Sequence, residues 1–303
     1  MSTPRAHYDH SELIQQLRRL APSEGDHGTK VTGLTAHRRN KPTEPLHCIY
    51  TLSVSFIAQG GKRIFLNGKH DDIEEGQSIL TTLDMPVVSH VTRATPGAPF
   101  LALQFELDAS MIAQLAAQLD LGPSRKSDTY RAVSYASAPP NLIDAFGRLL
   151  RLTAEPHLIP ALEPGLRTEI TVRLLEGPHG PHLMHMMVAG SPGERIGKVV
   201  SWLKQNYARP LDATALAELA LMSPSTFRRR FRAVTGTSPL QFQKRMRLEE
   251  ARHLMLSENQ PASTAAREVG YTSATQFSRE YNRTFGAPPR RDIARLQASE
   301  PPY

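Results

Sequence analysis

Two stretches of this chain repeat one design fifty residues apart. Residues 223–236 read SPSTFRRRFRAVTG, and residues 273–286 read SATQFSREYNRTFG. Each opens on a serine, places two aromatic residues four positions apart and ends on a glycine. Serine is a favoured helix N-cap because its hydroxyl accepts from an orphan backbone N–H, and Pro224 suits a first helical position. The pattern predicts two short amphipathic helices of the same build.

Their faces differ in chemistry. In the first copy Phe227, Phe231 and Val234 share one face at 3.6 residues per turn, so Ser225, Arg229 and Arg232 lie opposite, flanked by Thr226 and Arg228. In the second, Phe277, Tyr281 and Thr284 are expected inward, with Thr275, Arg279 and Asn282 outward and Gln276 beside them. Small polar groups at the helix start, followed by guanidiniums, are what a helix in a DNA major groove requires. Taken alone, the Arg228–Arg230 run reads as a solvated face rather than a base-contacting one. Its repetition on a correctly capped helix favours base contact, with Arg230 left to snorkel beside the core.

Each copy follows a shorter helical stretch, LDATALAELALMS or PASTAAREVGYTS, giving two helix-turn-helix units. In the first stretch Ala217, Ala220 and Leu221 are expected where a partner helix approaches closely. SPLQFQKRMRLEEARHLMLS joins the units as one helix of roughly 18 residues, about 27 Å long. The two turns differ: the second has Gly270 where the first has Leu221, and the first is one residue shorter. A leucine at positive φ there would cost roughly 1 kcal/mol.

Charge divides the chain at the same place. Residues 190–303 hold 18 Lys+Arg against 10 Asp+Glu, whereas residues 1–189 hold 18 against 19. A near-neutral front joined to a basic back points to a polyanionic partner for the back half. The start MSTPRAHYDHSELIQQLRRL lacks an apolar core of signal-peptide length, and no run of eighteen apolar residues occurs, so a cytoplasmic protein without membrane contact is expected. The single cysteine, Cys48, excludes an intrachain disulfide and a thiolate metal cage.

The front half has β texture from about Lys30 to Leu107. HCIYTLSVSF alternates as one strand with Cys48, Tyr50, Leu52, Val54 and Phe56 on one face, and Asn67-Gly68 marks a hairpin. GQSILTTL, PVVSHVTRA and PFLALQFELD add strands, so a sandwich or small barrel is expected. Residues 1–28 are polar, with one short helix at Ser11–Leu20. ASMIAQLAAQL, NLIDAFGRLLRLT and GLRTEITVRLLEG are helical, and GPHGPHLMHMMVAGSPG reads as a breaker-rich link ending near Gly190. The fold class is therefore α+β: a β domain with accessory helices over 1–189, then an all-α domain over 190–303.

The motifs LAELALMSPSTFRRRFRAVTGTSPLQFQKRMRLEEAR and AAREVGYTSATQFSREYNRTFGAPP resemble the DNA-binding domain of AraC/XylS-type transcription regulators, from Pro192 to about Leu296. FIAQGGKRIFLNG, EEGQSILTTLDMPVVSHV and PFLALQFELD resemble the cupin-like N-terminal domain of one AraC-type subgroup, over about residues 30–190. The resemblance implies a sequence-specific regulator binding double-stranded promoter DNA, whose front domain senses a small-molecule effector or dimerises. RNA polymerase and a second copy of the chain are the further partners it suggests. It assigns Ser225, Thr226, Arg228 and Arg229 to bases of one half-site and Thr275, Gln276 and Arg279 to the other. Ser223, Arg232, Ser273 and Arg283 would hold phosphates.

Other chemistries have weaker support. His37, His47, His70 and His90 include no His-x-His pair, and His179, His182 and His185 would spread around a helix axis, so no metal, cofactor or catalytic residue is expected. A DNA-repair alkyl-transfer protein would need an activated thiolate, whereas Cys48 falls on an apolar strand face. An architectural DNA binder would bind without sequence preference, which a specificity ratio at fixed salt distinguishes.

Overall fold

The alternating runs of the front half form two antiparallel sheets in this computed structural model, which describes residues 10–66, 69–119, 130–187 and 190–299. Numbered along the chain, β1 (Gly25–Gly28), β2 (Leu34–Arg39), β4 (Ser53–Gln59), β7 (Gln77–Thr81), β9 (Phe100–Glu106) and β10 (Val133–Ser137) form the larger sheet, in the order β1-β2-β9-β4-β7-β10. β3 (Leu46–Tyr50), β5 (Gly61–Leu66), β6 (Lys69–Glu74) and β8 (Met85–Arg93) form the smaller one, in the order β3-β8-β5-β6. β5 and β6 pair as a hairpin from Gly61↔Glu74 to Leu66↔Lys69; the expected Asn67-Gly68 turn lies outside the described residues.

One expected strand is two. HCIYTLSVSF breaks at Thr51-Leu52, with β3 in the smaller sheet and β4 in the larger. The break lets Val54 and Phe56 enter the core beneath the helices, while the Tyr50 hydroxyl accepts from Lys62 Nζ on β5 at 2.8 Å. Neither environment would suit both halves of one straight strand.

Helices cover one face of the larger sheet: α1 (His10–Leu20), α2 (Ala109–Gln118), α3 (Pro140–Leu152), α4 (Ile159–Glu176) and α5 (Gly180–Met187). Leu13 and Leu17 of α1, Phe146 of α3, Ile170 and Leu174 of α4 and Leu183 of α5 pack with Phe56, Leu103 and Phe105 of the strands. α4 begins six residues before the expected stretch and carries Pro164 within it. The carbonyl that Pro164 cannot bond belongs to Pro160, an exposed residue, where water can satisfy it.

The expected link over 177–193 is corrected in part: α5 is a packed helix. Pro181 sits in its first turn, where no N–H is needed, and Leu183, Met184 and Met186 are buried. Just before it, His179 is 2 % exposed, with Nε2 2.9 Å from Ser78 Oγ and Nδ1 3.1 Å from Ser134 Oγ. Burial, and then the neighbouring His182, push its pKa down to about 4, so the ring is neutral. Among the described residues no three His, Cys, Asp or Glu side chains are grouped to hold a metal, and no helix is long and apolar enough to cross a membrane.

Chain contacts divide the molecule into residues up to 194, less 47–49, and residues from 195 with 47–49. The second unit is helical: α6 (Pro192–Gln205, entering it at Arg195), α7 (Ala213–Leu219), α8 (Pro224–Thr235), α9 (Pro239–Ser257), α10 (Ala262–Glu268), α11 (Ala274–Phe285) and α12 (Pro289–Ser299). Asp292 of α12 is fully buried. It accepts two bonds from Arg252 of α9, at 2.9 and 3.1 Å, and one from the Tyr281 hydroxyl of α11 at 2.9 Å. Pairing within this network offsets the cost of burying its charges.

Candidate nucleic-acid interface

The two expected helix-turn-helix units are present and equal in build: α7 and α10 have seven residues each, α8 and α11 twelve each. Ser223 Oγ accepts from Thr226 N, and Ser273 Oγ from Gln276 N, so both serines cap their helices. Gly236 and Gly286 close the same helices at φ 73° and 76°. Phe227, Phe231 and Val234 anchor α8; Phe277, Tyr281 and Phe285 anchor α11. Thr284, expected inward, is only half-buried, and Phe285 completes the buried row.

The opposite faces are open. Ser225, Arg228, Arg229 and Arg232 are exposed on α8, with Thr226 and Arg230 half-buried; Thr275, Gln276, Arg279, Asn282 and Arg283 are exposed on α11. Arg228 Nε donates to the Pro224 carbonyl one turn earlier at 3.2 Å, which leaves its terminal nitrogens beyond that bond. Each helix thus brings the proposed base-reading residues onto one exposed face, with Arg232 and Arg283 towards its C-terminal end.

The turns are equivalent in hydrogen bonding despite their different residues. Leu221 N donates to Glu218 O and Met222 N to Ala217 O, at 2.8 and 3.0 Å. Gly270 N donates to Arg267 O and Tyr271 N to Ala266 O, at 3.0 and 2.9 Å. Leu221 therefore occupies the Gly270 position and takes its left-handed conformation, at φ 52°. It is 73 % exposed, so the expectation that it adjoins a partner helix is corrected, while Ala217 and Ala220 are buried as expected.

A polar scaffold invisible in the repeat holds the second unit on α9. Arg247 donates to the carbonyls of Tyr207, Ala208, Arg209 and Gly270 at 2.6–3.1 Å, and its guanidinium lies 5.8 Å from the Tyr271 ring centre. Glu280 of α11 accepts from Lys244 of α9, from the Tyr271 hydroxyl and from Gln276. The only sequence signal for these contacts is the i, i+4 spacing of Gln276 and Glu280.

Residues 30–182 match the family described as AraC-type transcriptional regulator N-terminus, and residues 216–295 match a helix-turn-helix domain family. The HTH-type transcriptional activator RhaS of Escherichia fergusonii is 29% identical over 96 residues, covering 32% of this chain and 34% of RhaS. The RCS-specific HTH-type transcriptional activator RclR of Escherichia coli is 33% identical over 95 residues, 31% of this chain and 34% of RclR. The chain thus matches about a third of the length of these relatives. ToxT of Vibrio cholerae has a similar fold, with TM-score 0.56 and 12% identity over 86% of this chain and 97% of ToxT.

Proposed function

Since the chain belongs to the AraC-type transcriptional regulators, we propose that it is a sequence-specific DNA-binding regulator whose front unit senses a small molecule. One observation carries the DNA-binding part. Two capped helices with like-spaced aromatic anchors expose different polar faces, and one uninterrupted helix, α9, joins them. Its 19 residues give a length of about 28 Å. One turn of B-DNA is about 34 Å. With the width of a helix-turn-helix added at each end, α9 sets α8 and α11 into successive major grooves.

In this reading Ser225, Thr226, Arg228 and Arg229 face one half-site, and Thr275, Gln276 and Arg279 the other. Arg232 and Arg283 bind phosphates. The Ser223 and Ser273 hydroxyls hold the helix N-termini, whose N–H groups face the backbone. The half-sites are dissimilar because the two faces are.

The sensing part rests on polar groups within the front unit: Lys62 Nζ beside the Tyr50 hydroxyl, and the buried Tyr135 hydroxyl, which has no hydrogen-bond partner among the described residues. A small ligand offering an acceptor would satisfy Tyr135. ToxT, which shares the fold, has been crystallised with an unsaturated fatty acid. Dimerisation and contact with RNA polymerase belong to the same proposal for the whole protein.

The test is helical phasing. Once the site has been selected from random duplexes, inserting five base pairs between its half-sites should abolish most specific binding, because the second half-site turns to the opposite face. Equal affinity for the native and five-base-pair-inserted sites would refute joint reading by α8 and α11.

A further inference from the structure

Midway along α11 a carboxylate dictates how a neighbouring amide can point. Gln276 Nε2 donates to Glu280 Oε1 at 3.1 Å, one turn along the helix. Glu280 also accepts from Lys244 Nζ at 2.7 Å and from the Tyr271 hydroxyl at 2.8 Å. Burial works against the charge on Glu280, but the bonds from Lys244, Gln276 and Tyr271 outweigh it and hold the carboxyl below its usual range. At neutral pH Glu280 is therefore an acceptor only.

The two ends of a glutamine amide have nearly the same shape and opposite hydrogen-bonding sense. Facing an acceptor-only group, the amide must turn its NH2 end towards that group. Lys244 bonds one oxygen of this carboxylate and Tyr271 the other, so either bond alone keeps Glu280 beside Gln276 and stops the amide from reversing. The first copy lacks this device, since the equivalent positions are Thr226 and Arg230.

Resting on the reading that the exposed face of α11 meets base edges, we propose that Glu280 is a positioning residue that restricts Gln276 to adenine. One amide hydrogen is given to Glu280. Oε1 and the remaining N–H then point to the groove, one accepting and one donating. Adenine offers the complement, an N6 donor beside an N7 acceptor. Guanine offers acceptors at both N7 and O6, and a locked Oε1 meets O6 unfavourably. Thymine offers an acceptor and a methyl group, and cytosine has no acceptor beside its N4 donor.

The experiment is selection from randomised duplexes with the full chain, comparing the parent with Gln276→Ala, Glu280→Gln, Tyr271→Phe and Lys244→Met. The parent should prefer adenine at one position of a half-site. Gln276→Ala should lose that preference, and Glu280→Gln should relax it to adenine or guanine, because a neutral amide accepts either orientation of its neighbour. Tyr271→Phe and Lys244→Met each keep the Gln276–Glu280 bond and should keep the adenine even where they lower the melting temperature. A merely structural Glu280 would instead make Glu280→Gln, Tyr271→Phe and Lys244→Met behave alike.

A second measurement needs no variant to fold. Replacing that adenine by unsubstituted purine, which lacks the N6 amine, should weaken the parent's binding about tenfold or more. Should Gln276→Ala leave every position unchanged, the base-contact reading of Gln276 fails, and this inference with it. If Gln276→Ala alters a position where the parent prefers another base, base contact stands and the role of Glu280 is overturned. Retention of adenine by Glu280→Gln, or equal affinity for the purine site, overturns it as well.

Discussion

Leu221 and Gly270 occupy the same turn position with opposite surroundings, and exchanging their chemistry should have opposite effects. At φ 52° Leu221 carries a left-handed strain of about 1–2 kcal/mol. Leu221→Gly removes that strain, but the freer unfolded chain costs about 0.4–1 kcal/mol. With 73 % of the residue exposed, losing the covered remainder costs about 0.5 kcal/mol more. These terms nearly cancel, so the variant should lie between neutral and about 1 kcal/mol more stable. Gly270→Ala meets a different wall. Its Cβ would come 2.1 Å from the Ala208 carbonyl oxygen, at a backbone φ of +86°. Arg247 bonds both the Gly270 and the Ala208 carbonyls at 3.1 Å, so the two segments cannot part without losing charged hydrogen bonds. Strain and overpacking together, less the entropy gained, come to about 2–3 kcal/mol, on the order of 10 °C in melting temperature. The one tryptophan, Trp202 on α6, reports unfolding of the second unit by fluorescence in urea. A loss above about 1 kcal/mol for Leu221→Gly would refute the argument, as would Gly270→Ala within about 0.5 kcal/mol of the parent.

Arg229→Ala and Arg279→Ala should each relax preference at a few base pairs, by about 1–3 kcal/mol, whereas Arg232→Ala should weaken all sequences alike; unchanged selection logos for the first two would remove their base-reading role. Glu249 on α9 is 8 % exposed, and burial pushes its pKa up to about 7 against the pull of Arg245 and Arg252. A carboxyl raised in the fold costs stability as pH climbs from about 4.5 through 7, so Glu249→Gln should stabilise the second unit at pH 8 by about 1–3 kcal/mol and little at pH 4.5. Equal Trp202 midpoints for parent and variant at pH 8 would contradict this. His179 titrates in the opposite sense: held neutral down to about pH 4, it supports the fold above its unfolded value near 6.5 and loses that support as pH falls towards 4. His179→Gln should flatten this acid limb, by up to about 3 kcal/mol, in urea titrations followed by circular dichroism. An acid limb of parental slope would show that the ring is not held neutral.

The exposed polar faces were legible because 3.6-residue periodicity and serine caps are local signals, and the repeat doubled each of them. The same comparison exposed Leu221, since one copy has a glycine where the other cannot avoid positive φ. What stayed hidden depends on partners distant in sequence. Lys244 and Tyr271 reach Glu280 from another helix and from the turn, and nothing in SREYNRTF announces them. α12 was missed because its warrant is Asp292, whose burial makes sense only beside Arg252 and Tyr281. α5 reads locally as a link because its glycines and prolines are loop signals, whereas the burial of Leu183 and Met186 is a tertiary contribution. β10 is a five-residue strand whose reason to exist is pairing with β7.

The two helix-turn-helix units share paired aromatic anchors and differ most in their exteriors, and the physics of each layer explains why. Aromatic rows such as Phe227–Phe231 and Phe277–Tyr281 are fully or nearly fully buried, so truncating one would cost about 3–5 kcal/mol. Exposed positions such as Ser225, Arg229, Thr275 and Arg279 can change at about half a kilocalorie or less, because no core contact depends on them. Much of the divergence therefore falls on the surface that would read DNA. A homodimer of identical readers has a palindromic site with no direction of its own. A single chain with α8 at one end of α9 and an unlike α11 would, on the proposed reading, have a directional site. Orientation on a promoter would then follow from which half-site comes first, and the separate exposed faces would let either half-site change without disturbing the other.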